Sequence, residues 1–342
     1  MKYRPLGRTG VYVSELCLGA MTFGGADHPV FKMVGGLGQD DTDQIVGTAL
    51  DAGVNFIDTA DMYADGESET LLGQALKGRR DDVVLATKLA ARTGPGPNDV
   101  GLSRLHLARS LEDSLRRLGT DHIDLYQIHS IDPYTPIEET LRALDDAVRQ
   151  GKIRYIGCSN LAAWEVAKAL GVSAARGLAE FVSVQSYYSL VGRDVERELI
   201  PMLRSEGLAL MVWSPLAGGL LSGKTDRNGV SDAGARHAQG QFVPVDTEKA
   251  YDVIDVLKAI AARHEVSAAR VALAWVLAQP AVTSVIIGAR RVDQLTDNLA
   301  ATELTLTEDD LARLDEVSRD ALPPYPAWIQ QAGLRDRLPR PA

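Results

Sequence analysis

The chain has 342 residues, of which 45% are hydrophobic and 24% charged, an ordinary balance for a globular protein that is long enough for a large core. Its 46 acidic and 36 basic residues give a formal net charge of −10, which argues against nucleic acid or an anionic membrane as the main partner. No stretch of signal-peptide character opens the sequence, and Gln279 and Pro280 interrupt its longest apolar region, so we expect a cytoplasmic protein without a membrane span.

Short apolar runs alternate along the chain with longer segments of helical period. A β-hairpin is predicted around Gly7 and Gly10, and the apolar runs after it indicate strands. These runs cover residues 15–18, 55–58, 83–88, 123–128, 155–158, 181–185, 209–213 and 284–287. The two cysteines, Cys17 and Cys158, each lie within such a run, so we expect buried free thiols in a reducing compartment rather than a disulfide.

Helices are predicted between these strands, the first of them over residues 41–52. Ser103 is the expected N-cap of a later helix, which has a regularly spaced face of leucines. Thr135 and Glu138 have the spacing of a capping box, and Pro136 suits the first turn of the helix that this box predicts.

Eight strand–helix units along most of the chain favour a closed (β/α)8 TIM barrel with an N-terminal β-hairpin. The competing fold is an open doubly wound sheet, which usually carries a Gly-x-Gly-x-x-Gly motif after its first strand, and this sequence has none there. No linker divides residues 1–342, so we expect one barrel domain with long rim loops at residues 24–39 and 218–246. The proline-rich tail, residues 321–342, is expected to be partly irregular.

Four polar residues fall where the predicted strands end. Asp58, Lys88 and His129 each close an apolar run, and Tyr63 lies in the loop just after Asp58. Because the carboxyl ends of parallel strands share one rim, we expect the four side chains to converge there. A lysine ammonium lowers the pKa of a neighbouring phenol, a carboxylate can orient the lysine, and a neutral histidine can align a substrate oxygen. This set suits a carbonyl that gains a hydride at carbon and a proton at oxygen.

Each of these residues also has a purely structural interpretation. Lys88 could lie at a strand end with its ammonium in solvent, and His129 could be a buried imidazole with its hydrogen bonds satisfied. Asp58 could cap a turn, and Tyr63 could pack within a loop. All four residue types at three successive strand ends favour catalysis instead. The sequence has no His-x-His pair, no His-Glu-x-x-His motif and no cysteine cluster, so we expect no metal site.

Several long segments resemble, in the same order, those of the aldo-keto reductase superfamily. Residues 53–63, Gly-Val-Asn-Phe-Ile-Asp-Thr-Ala-Asp-Met-Tyr, are similar to the family segment with the catalytic aspartate and tyrosine. The other matching segments are residues 87–88 with the lysine, 121–129 with the histidine, 151–160, 213–220 and 286–290. The start of the first segment differs from that of many relatives and is typical of a distant, largely microbial branch.

The resemblance implies a barrel that binds NADPH/NADP⁺ and exchanges a hydride with a small-molecule carbonyl or alcohol. Tyr63 would donate the proton, Lys88 and Asp58 would tune it, and His129 would position the carbonyl. The residues implied at the cofactor are Gly19, Met21, Thr22, Asp58, Ser159, Asn160, Gln185, Trp213, Ser214, Leu216, Gly218, Lys224, Gly288, Arg290, Gln294 and Asn298. The residues expected at the substrate are Met21, Phe23, Tyr63, His129, Tyr187 and Trp328.

The same resemblance gives the two ends of the cofactor different contacts. Ser159, Asn160 and Gln185 would hold the nicotinamide carboxamide, and Trp213 would stack on the nicotinamide ring. At the other end, the guanidinium of Arg290 matches a 2′-phosphate in bidentate geometry, which favours NADPH over NADH.

Three functions are compatible with this sequence. The first is an NADPH-dependent reductase of aldehydes or ketones, or the same fold working oxidatively as an alcohol or sugar dehydrogenase. The second is a non-catalytic NADPH-binding regulatory subunit, as in relatives that sit under potassium channels. The third is a metal-free lyase or isomerase that needs no nicotinamide, which a cofactor titration would distinguish. The physiological substrate and the oligomeric state stay open at this point.

Overall fold

Eight parallel strands form a closed barrel in the computed structural model, which describes residues 1–227, 229–230, 243–319, 326 and 329. Helices alternate with these strands along the chain, so the fold is the predicted (β/α)8 TIM barrel. Each predicted strand segment corresponds to one barrel strand, and the predicted N-terminal hairpin is present.

The strands and helices are numbered in chain order. The strands are β1 Tyr3–Pro5, β2 Tyr12–Ser14, β3 Leu16–Gly19, β4 Phe56–Asp58, β5 Val84–Leu89, β6 Ile123–Ile128, β7 Ile153–Ser159, β8 Phe181–Tyr187, β9 Ala209–Trp213, β10 Thr225–Asp226, β11 Gly229–Val230 and β12 Val282–Ile287. The helices are α1 Gln39–Asp51, α2 Glu67–Ala75, α3 Arg104–Leu118, α4 Ile137–Arg149, α5 Ala163–Arg176, α6 Leu199–Glu206, α7 Thr247–His264, α8 Ala268–Leu277, α9 Val292–Leu299 and α10 Glu308–Ser318. The barrel runs from β3 to β9 in sequence order and closes through β12, which pairs with both β9 and β3.

The hairpin of β1 and β2 packs against the amino end of the barrel. Leu6 and Val13 of the hairpin region are fully buried in one apolar cluster with Cys17, Phe56 and Leu125 from three barrel strands. Burying an apolar side chain of this size contributes about 1.5–3 kcal/mol to the free energy of unfolding. The hairpin therefore closes the end of the barrel that lies opposite the predicted catalytic rim.

Two helix starts illustrate how local signals work in this chain. Ser103 caps α3 as predicted, because its hydroxyl accepts a hydrogen bond from the backbone N–H of His106 at 3.3 Å. Helix α1 begins at Gln39, two residues before the predicted start. The earlier start places Asp40 and Asp41 in the first turn, where the helix dipole favours carboxylates.

The predicted capping box at the start of α4 is wrong. The N-cap is Pro136, and the Thr135 hydroxyl instead donates to Asp132 Oδ2 at 2.6 Å. Asp132 also accepts from the backbone N–H of Leu102 at 2.8 Å, so it ties two rim loops together. Glu138 pairs with arginine side chains rather than with the helix start. Asp132, three residues before Thr135 in the chain, thus binds the hydroxyl group that the local pattern had assigned to the helix cap.

The structure describes all of the first predicted rim loop and part of the second. Residues 24–38 leave β3 and return to α1, with a short 3₁₀ turn at Phe31–Met33. The base of this loop is closed by a hydrogen bond from Gly24 N to Leu37 O at 2.8 Å. Residues 231–242 of the second loop lie outside the described residues, as does the predicted irregular tail, residues 321–342, except Pro326 and Ile329.

Two further expectations about the whole chain can be compared with the structure. Cys17 and Cys158 are buried free thiols, as predicted. Among the described residues, no helix is both long and apolar enough to cross a membrane.

Candidate active site

A cavity of about 790 Å³ opens at the carboxyl ends of the barrel strands. This volume lies in the upper part of the range of roughly 300–1,000 Å³ that small-molecule sites occupy. All of the residues that the resemblance assigns to the cofactor contribute to its wall. They are Gly19, Met21, Thr22, Asp58, Ser159, Asn160, Gln185, Trp213, Ser214, Leu216, Gly218, Lys224, Gly288, Arg290, Gln294 and Asn298.

Lys88 joins the predicted acid to the predicted carboxylate. Its side chain is fully buried in β5, and its Nζ donates to Asp58 Oδ2 at 2.5 Å, to the Thr59 backbone oxygen at 2.8 Å and to the Tyr63 hydroxyl at 3.3 Å. The three donors of the ammonium are therefore all in use. In the β4–β5 register Asp58 pairs with Ala86, so Lys88 lies two residues further along β5 on the same face as Ala86.

Two glutamines hold the second oxygen of Asp58. Gln127 Nε2 and Gln185 Nε2 donate to Asp58 Oδ1 at 3.0 and 2.9 Å. The sequence reasoning missed Gln127 as a site residue. The sequence could have indicated it, because Gln127 lies two positions before His129 and residues two apart in a strand point to the same face. The carboxylate is thus fixed by one ammonium and two amides, which fixes the lysine in turn.

The buried environment affects the pKa values of Tyr63, the predicted acid, and of Lys88. Burial raises the pKa of Tyr63 above its ordinary value, and the attraction of Lys88 for the phenolate, which acts in the opposite direction, does not reverse this. Lys88 thus acts on the pKa of Tyr63 in the expected, lowering direction, but burial outweighs it. Burial lowers the pKa of Lys88, but the charge of Asp58 and the hydrogen bonds to Asp58 and Tyr63 raise it overall. At neutral pH the pair is a neutral phenol beside an ammonium.

His129 lies beside the phenol of Tyr63. Its ring centroid is 5.9 Å from that of Tyr63, with the rings edge to face. Burial, with the nearby charge of Lys88, lowers the pKa of His129 to about 3, so the imidazole is neutral at physiological pH. Its buried Nδ1 has no hydrogen-bond partner. A neutral imidazole in this place can donate a hydrogen bond to a substrate oxygen without supplying a second proton.

Asn160 connects the histidine to the predicted stacking residue. Its Nδ2 donates to the backbone oxygen of His129 at 3.0 Å, and its Oδ1 accepts from Trp213 Nε1 at 3.0 Å. Asn160 has a φ of +60°, a left-handed conformation that asparagine tolerates better than most residues. The two ends of its amide therefore hold the backbone of His129 and the side chain of Trp213, a role that the resemblance did not suggest.

The neighbouring polar groups are consistent with a carboxamide ligand. The Ser159 hydroxyl is buried and has no hydrogen-bond partner. The Gln185 amide nitrogen is engaged with Asp58, which leaves the amide oxygen of Gln185 for a ligand N–H. A buried hydroxyl without a partner is costly in a folded protein, so a polar ligand at this point would stabilise it.

Cationic side chains line the far end of the cavity. Lys224 follows β9, and Arg290 and Arg291 follow β12 at the start of α9. The backbone N–H of Arg290 donates to Gln294 Oε1 at 3.1 Å, which ties the connection to the helix. This end has the charge that phosphate groups require.

Three predicted substrate residues, Met21, Tyr63 and His129, line the cavity, whereas Phe23 and Tyr187 do not. Phe23 is fully buried in the core beside the base of the 24–38 loop and does not contribute to the wall. Tyr187 packs behind Trp213, with ring centroids 5.2 Å apart, and its hydroxyl is bonded to Ser189. Trp328 lies outside the described residues.

Apolar residues that the sequence reasoning did not select form the wall next to Tyr63. They are Val30, Phe31, Met33 and Val34 of the 24–38 loop, together with Met62. The ring centroids of Phe31 and Tyr63 are 6.0 Å apart. Apolar residues within a glycine-rich loop were the signal available in the sequence, and the structure leaves 54% of Val30 and 41% of Met33 exposed.

No group of three or more His, Cys, Asp or Glu side chains with the geometry of a metal site occurs within the described part of the chain.

Comparison with known proteins connects this geometry to a family. Residues 15–319 match the family model described as the Aldo/keto reductase family. The chain is similar to an uncharacterized oxidoreductase of Bacillus subtilis, at 41% identity over 93% of this chain and 96% of the relative. It is also similar to the versiconal hemiacetal acetate reductase of Aspergillus parasiticus, at 34% identity over 92% and 96%. A probable voltage-gated potassium channel subunit beta of Oryza sativa is 36% identical over 93% and 96%.

Proposed function

The chain belongs to the aldo/keto reductase family, and from that premise we propose that it is an NADPH-dependent reductase of aldehydes and ketones with Tyr63 as the general acid. The observation that carries this proposal is the contact between Lys88 Nζ and the Tyr63 hydroxyl at 3.3 Å, on the wall of a cavity that His129 also lines. A proton donor, a charge that stabilises the donor's anion and a neutral hydrogen-bond donor are the groups that carbonyl reduction needs.

In this mechanism the proton comes from Tyr63. The buried phenol is protonated at neutral pH, so it is ready to donate to a carbonyl oxygen. When the proton leaves, the phenolate faces the Lys88 ammonium, which Asp58 and the Thr59 carbonyl hold in place. The neutral imidazole of His129 donates a hydrogen bond to the same substrate oxygen and aligns it.

The residues at the two ends of the cavity fit a nicotinamide dinucleotide. When bound, this cofactor supplies the hydride that reduces the carbonyl carbon. Ser159 and the oxygen of the Gln185 amide would hold the carboxamide, and Trp213, fixed by Asn160, would present its face to the nicotinamide ring. Lys224 would contact the pyrophosphate, and Arg290 a 2′-phosphate.

The substrate we propose is a neutral, largely apolar carbonyl compound. Among the described residues of the cavity wall, the cationic side chains follow β9 and β12, whereas the 24–38 loop contributes apolar side chains. A Phe31 ring beside the Tyr63 ring favours a flat or branched apolar group next to the carbonyl. A polyhydroxylated substrate would leave its hydroxyl groups without partners against this wall.

A non-catalytic regulatory subunit is the second candidate, because a similar protein is named as a probable potassium channel subunit beta. Asp58, Tyr63, Lys88 and His129, together with the cavity, are compatible with cofactor binding in either function. Turnover is therefore the observable that distinguishes the two candidates.

The first experiment follows the absorbance of reduced nicotinamide with NADPH and a panel of aromatic aldehydes, alkyl ketones and polyhydroxy aldehydes. The proposal expects turnover that is faster with the apolar members of the panel. Turnover confined to polyhydroxy aldehydes would contradict the proposed substrate class. Tight NADPH binding without turnover, both with this panel and with NADP⁺ and alcohols, would favour the regulatory role.

A further inference from the structure

Asp61 is a buried carboxyl group that the proposed mechanism does not use. It lies between Asp58 and Tyr63, in the segment that carries the acid, and only 2% of it is exposed. Its backbone N–H donates to the backbone oxygen of Lys88 at 3.1 Å. Neither oxygen of its carboxyl group has a hydrogen-bond partner at ordinary geometry, although the Ser110 hydroxyl and the backbone of Met62 lie near enough to lower its pKa. A buried carboxylate in this condition would be far less stable than a neutral carboxyl group.

A second carboxyl group shares the same buried compartment. Glu69 of α2 is fully buried, and it accepts from the Thr87 hydroxyl at 2.6 Å and from Arg117 Nε at 2.7 Å. Arg117 Nη2 also lies 2.6 Å from the same Glu69 oxygen. The guanidinium of α3 is thus directed to Glu69 and does not form an ion pair with Asp61.

The groups around Asp61 come from every element packed against it. They are Glu69 from α2, Arg117 and Ser110 with His106 beside it from α3, Tyr126 from β6, Lys88 from β5, and Asp58 and Tyr63 from its own segment. Tyr126 is fully buried, and its hydroxyl has no partner. In this compartment two carboxyl groups face one guanidinium, so charge balance requires one of them to stay neutral.

The pKa values agree with this geometry. Burial and then the charge of Glu69 raise the pKa of Asp61 to about 8, although Arg117 and Ser110 act in the opposite direction. Ionised Asp61 would also raise the pKa of Tyr63 further, because it adds a negative charge near the phenol. At neutral pH Asp61 is mostly protonated, so the average negative charge that it places near the Tyr63 phenol is small.

We propose that Asp61 is a positioning residue: its backbone N–H holds the Tyr63 segment against β5, and its carboxyl group stays neutral, which keeps a second negative charge away from Tyr63. The inference rests on the proposed role of Tyr63. When Asp61 releases its proton to solvent at alkaline pH, Tyr63 becomes a weaker acid and carbonyl reduction slows. Asp61 would therefore limit the alkaline range of the reductase.

Asp61→Asn keeps the shape of the neutral carboxyl group and cannot ionise. Asp65→Asn is the matched control, because Asp65 lies in the same segment with an exposed side chain. At pH 7 both variants should keep kcat/KM within about threefold of the wild type. At about one pH unit above the pKa, only roughly one-tenth of the wild-type molecules keep the Asp61 proton, so kcat/KM should fall about tenfold there in the wild type and in Asp65→Asn. The Asp61→Asn variant should show no such fall.

A second measurement does not depend on turnover. Asp61 keeps its proton in the folded state above pH 3.8, where the unfolded chain loses it, so its contribution to stability falls as pH rises from about 4 to about 8 and then levels off. The urea midpoint of Asp61→Asn should therefore rise relative to the wild type across this range. Infrared spectra should show a protonated carboxyl band in the wild type at neutral pH that Asp61→Asn lacks.

The outcomes separate this inference from the proposed function. A wild type without reductase activity whose carboxyl band still titrates near pH 8 would refute the proposed function but would support a protonated Asp61 at neutral pH. An active wild type without such a band, and with the same alkaline fall in Asp61→Asn, would refute the role of Asp61 alone.

Discussion

Replacing Lys88 by methionine removes the charge that joins Asp58 to Tyr63 while keeping most of the side-chain volume. The ammonium is fully buried, 2.5 Å from Asp58 and 3.3 Å from the Tyr63 hydroxyl. Breaking a buried ion pair by removing one partner costs about 3–5 kcal/mol, because the other charge is left uncompensated. Lys88→Met should lower the free energy of unfolding by this amount, a large part of a total of roughly 5–15 kcal/mol.

The expected loss of turnover has a separate origin, because in the proposed mechanism the same ammonium would stabilise the phenolate that Tyr63 becomes. At 3.3 Å and an effective dielectric constant of about 20, two unit charges attract each other by about 5 kcal/mol. That energy corresponds to roughly three decades or more in rate. Since the phenolate forms only as the proton leaves, the loss should fall mainly on kcat.

A double variant separates the two effects. Adding Asp58→Asn to Lys88→Met removes the uncompensated charge, and the asparagine oxygen can still accept from Gln127 and Gln185. Urea unfolding should show that the double variant regains most of the lost stability, and the NADPH assay should show that its turnover stays low. A folded Lys88→Met enzyme that turns over within about tenfold of the wild-type rate would refute the reasoning.

Three further substitutions test other parts of the account. Arg290→Ala should weaken NADPH by about tenfold or more and NADH much less, because a charged contact contributes about 1.5–3 kcal/mol. Equal losses in a binding titration would contradict the 2′-phosphate contact. Phe31→Ala should lower kcat/KM by about tenfold for an aromatic aldehyde and by no more than about twofold for a small polyhydroxy aldehyde, and equal losses would remove Phe31 from the substrate site. Although burial raises it, hydrogen bonds from His264 and Thr307 hold the pKa of Asp310 at about 2, below its unfolded value of 3.8. Its carboxylate therefore contributes about 2 kcal/mol above pH 4 that is lost as pH falls towards 2. The stability difference between the wild type and Asp310→Asn should shrink between about pH 7 and pH 3, and a constant difference in urea unfolding would count against this contribution.

The parts of the site that could be predicted share one property. Asp58, Lys88 and His129 each follow a buried apolar run, so the pattern that predicts the strand also predicts where its last polar side chain points. The barrel itself follows from eight repetitions of that pattern. Local sequence is sufficient here because strand direction alone determines the rim on which a strand-end residue lies.

The parts that could not be predicted depend on contacts across the fold. The two roles of the Asn160 amide require the positions of His129 and Trp213, which lie on different strands. The apolar wall around Phe31 exists because the 24–38 loop closes on its own base, and Phe23, expected at the substrate, is buried beside that base.

Electrostatic balance is the other quantity that a sequence does not show. Asp61 lies in the middle of a recognisable segment, yet its raised pKa follows from its burial and then from the charge of Glu69, which lies outside that segment on α2. Burial likewise decides the pKa of Tyr63 against the attraction of its neighbouring lysine. Both results need the distances and the exposed fractions of the folded chain.

The most direct test of the central claim is to compare Tyr63→Phe with Tyr187→Phe. Each change removes one hydroxyl group, but Tyr63 lines the cavity beside Lys88, whereas Tyr187 lies behind Trp213. Tyr63→Phe should bind NADPH within about threefold of the wild type and lose at least about 10²–10⁴-fold in kcat with an aromatic aldehyde, while Tyr187→Phe stays close to wild type. Reduction by Tyr63→Phe at the wild-type rate would show that this phenol is not the acid.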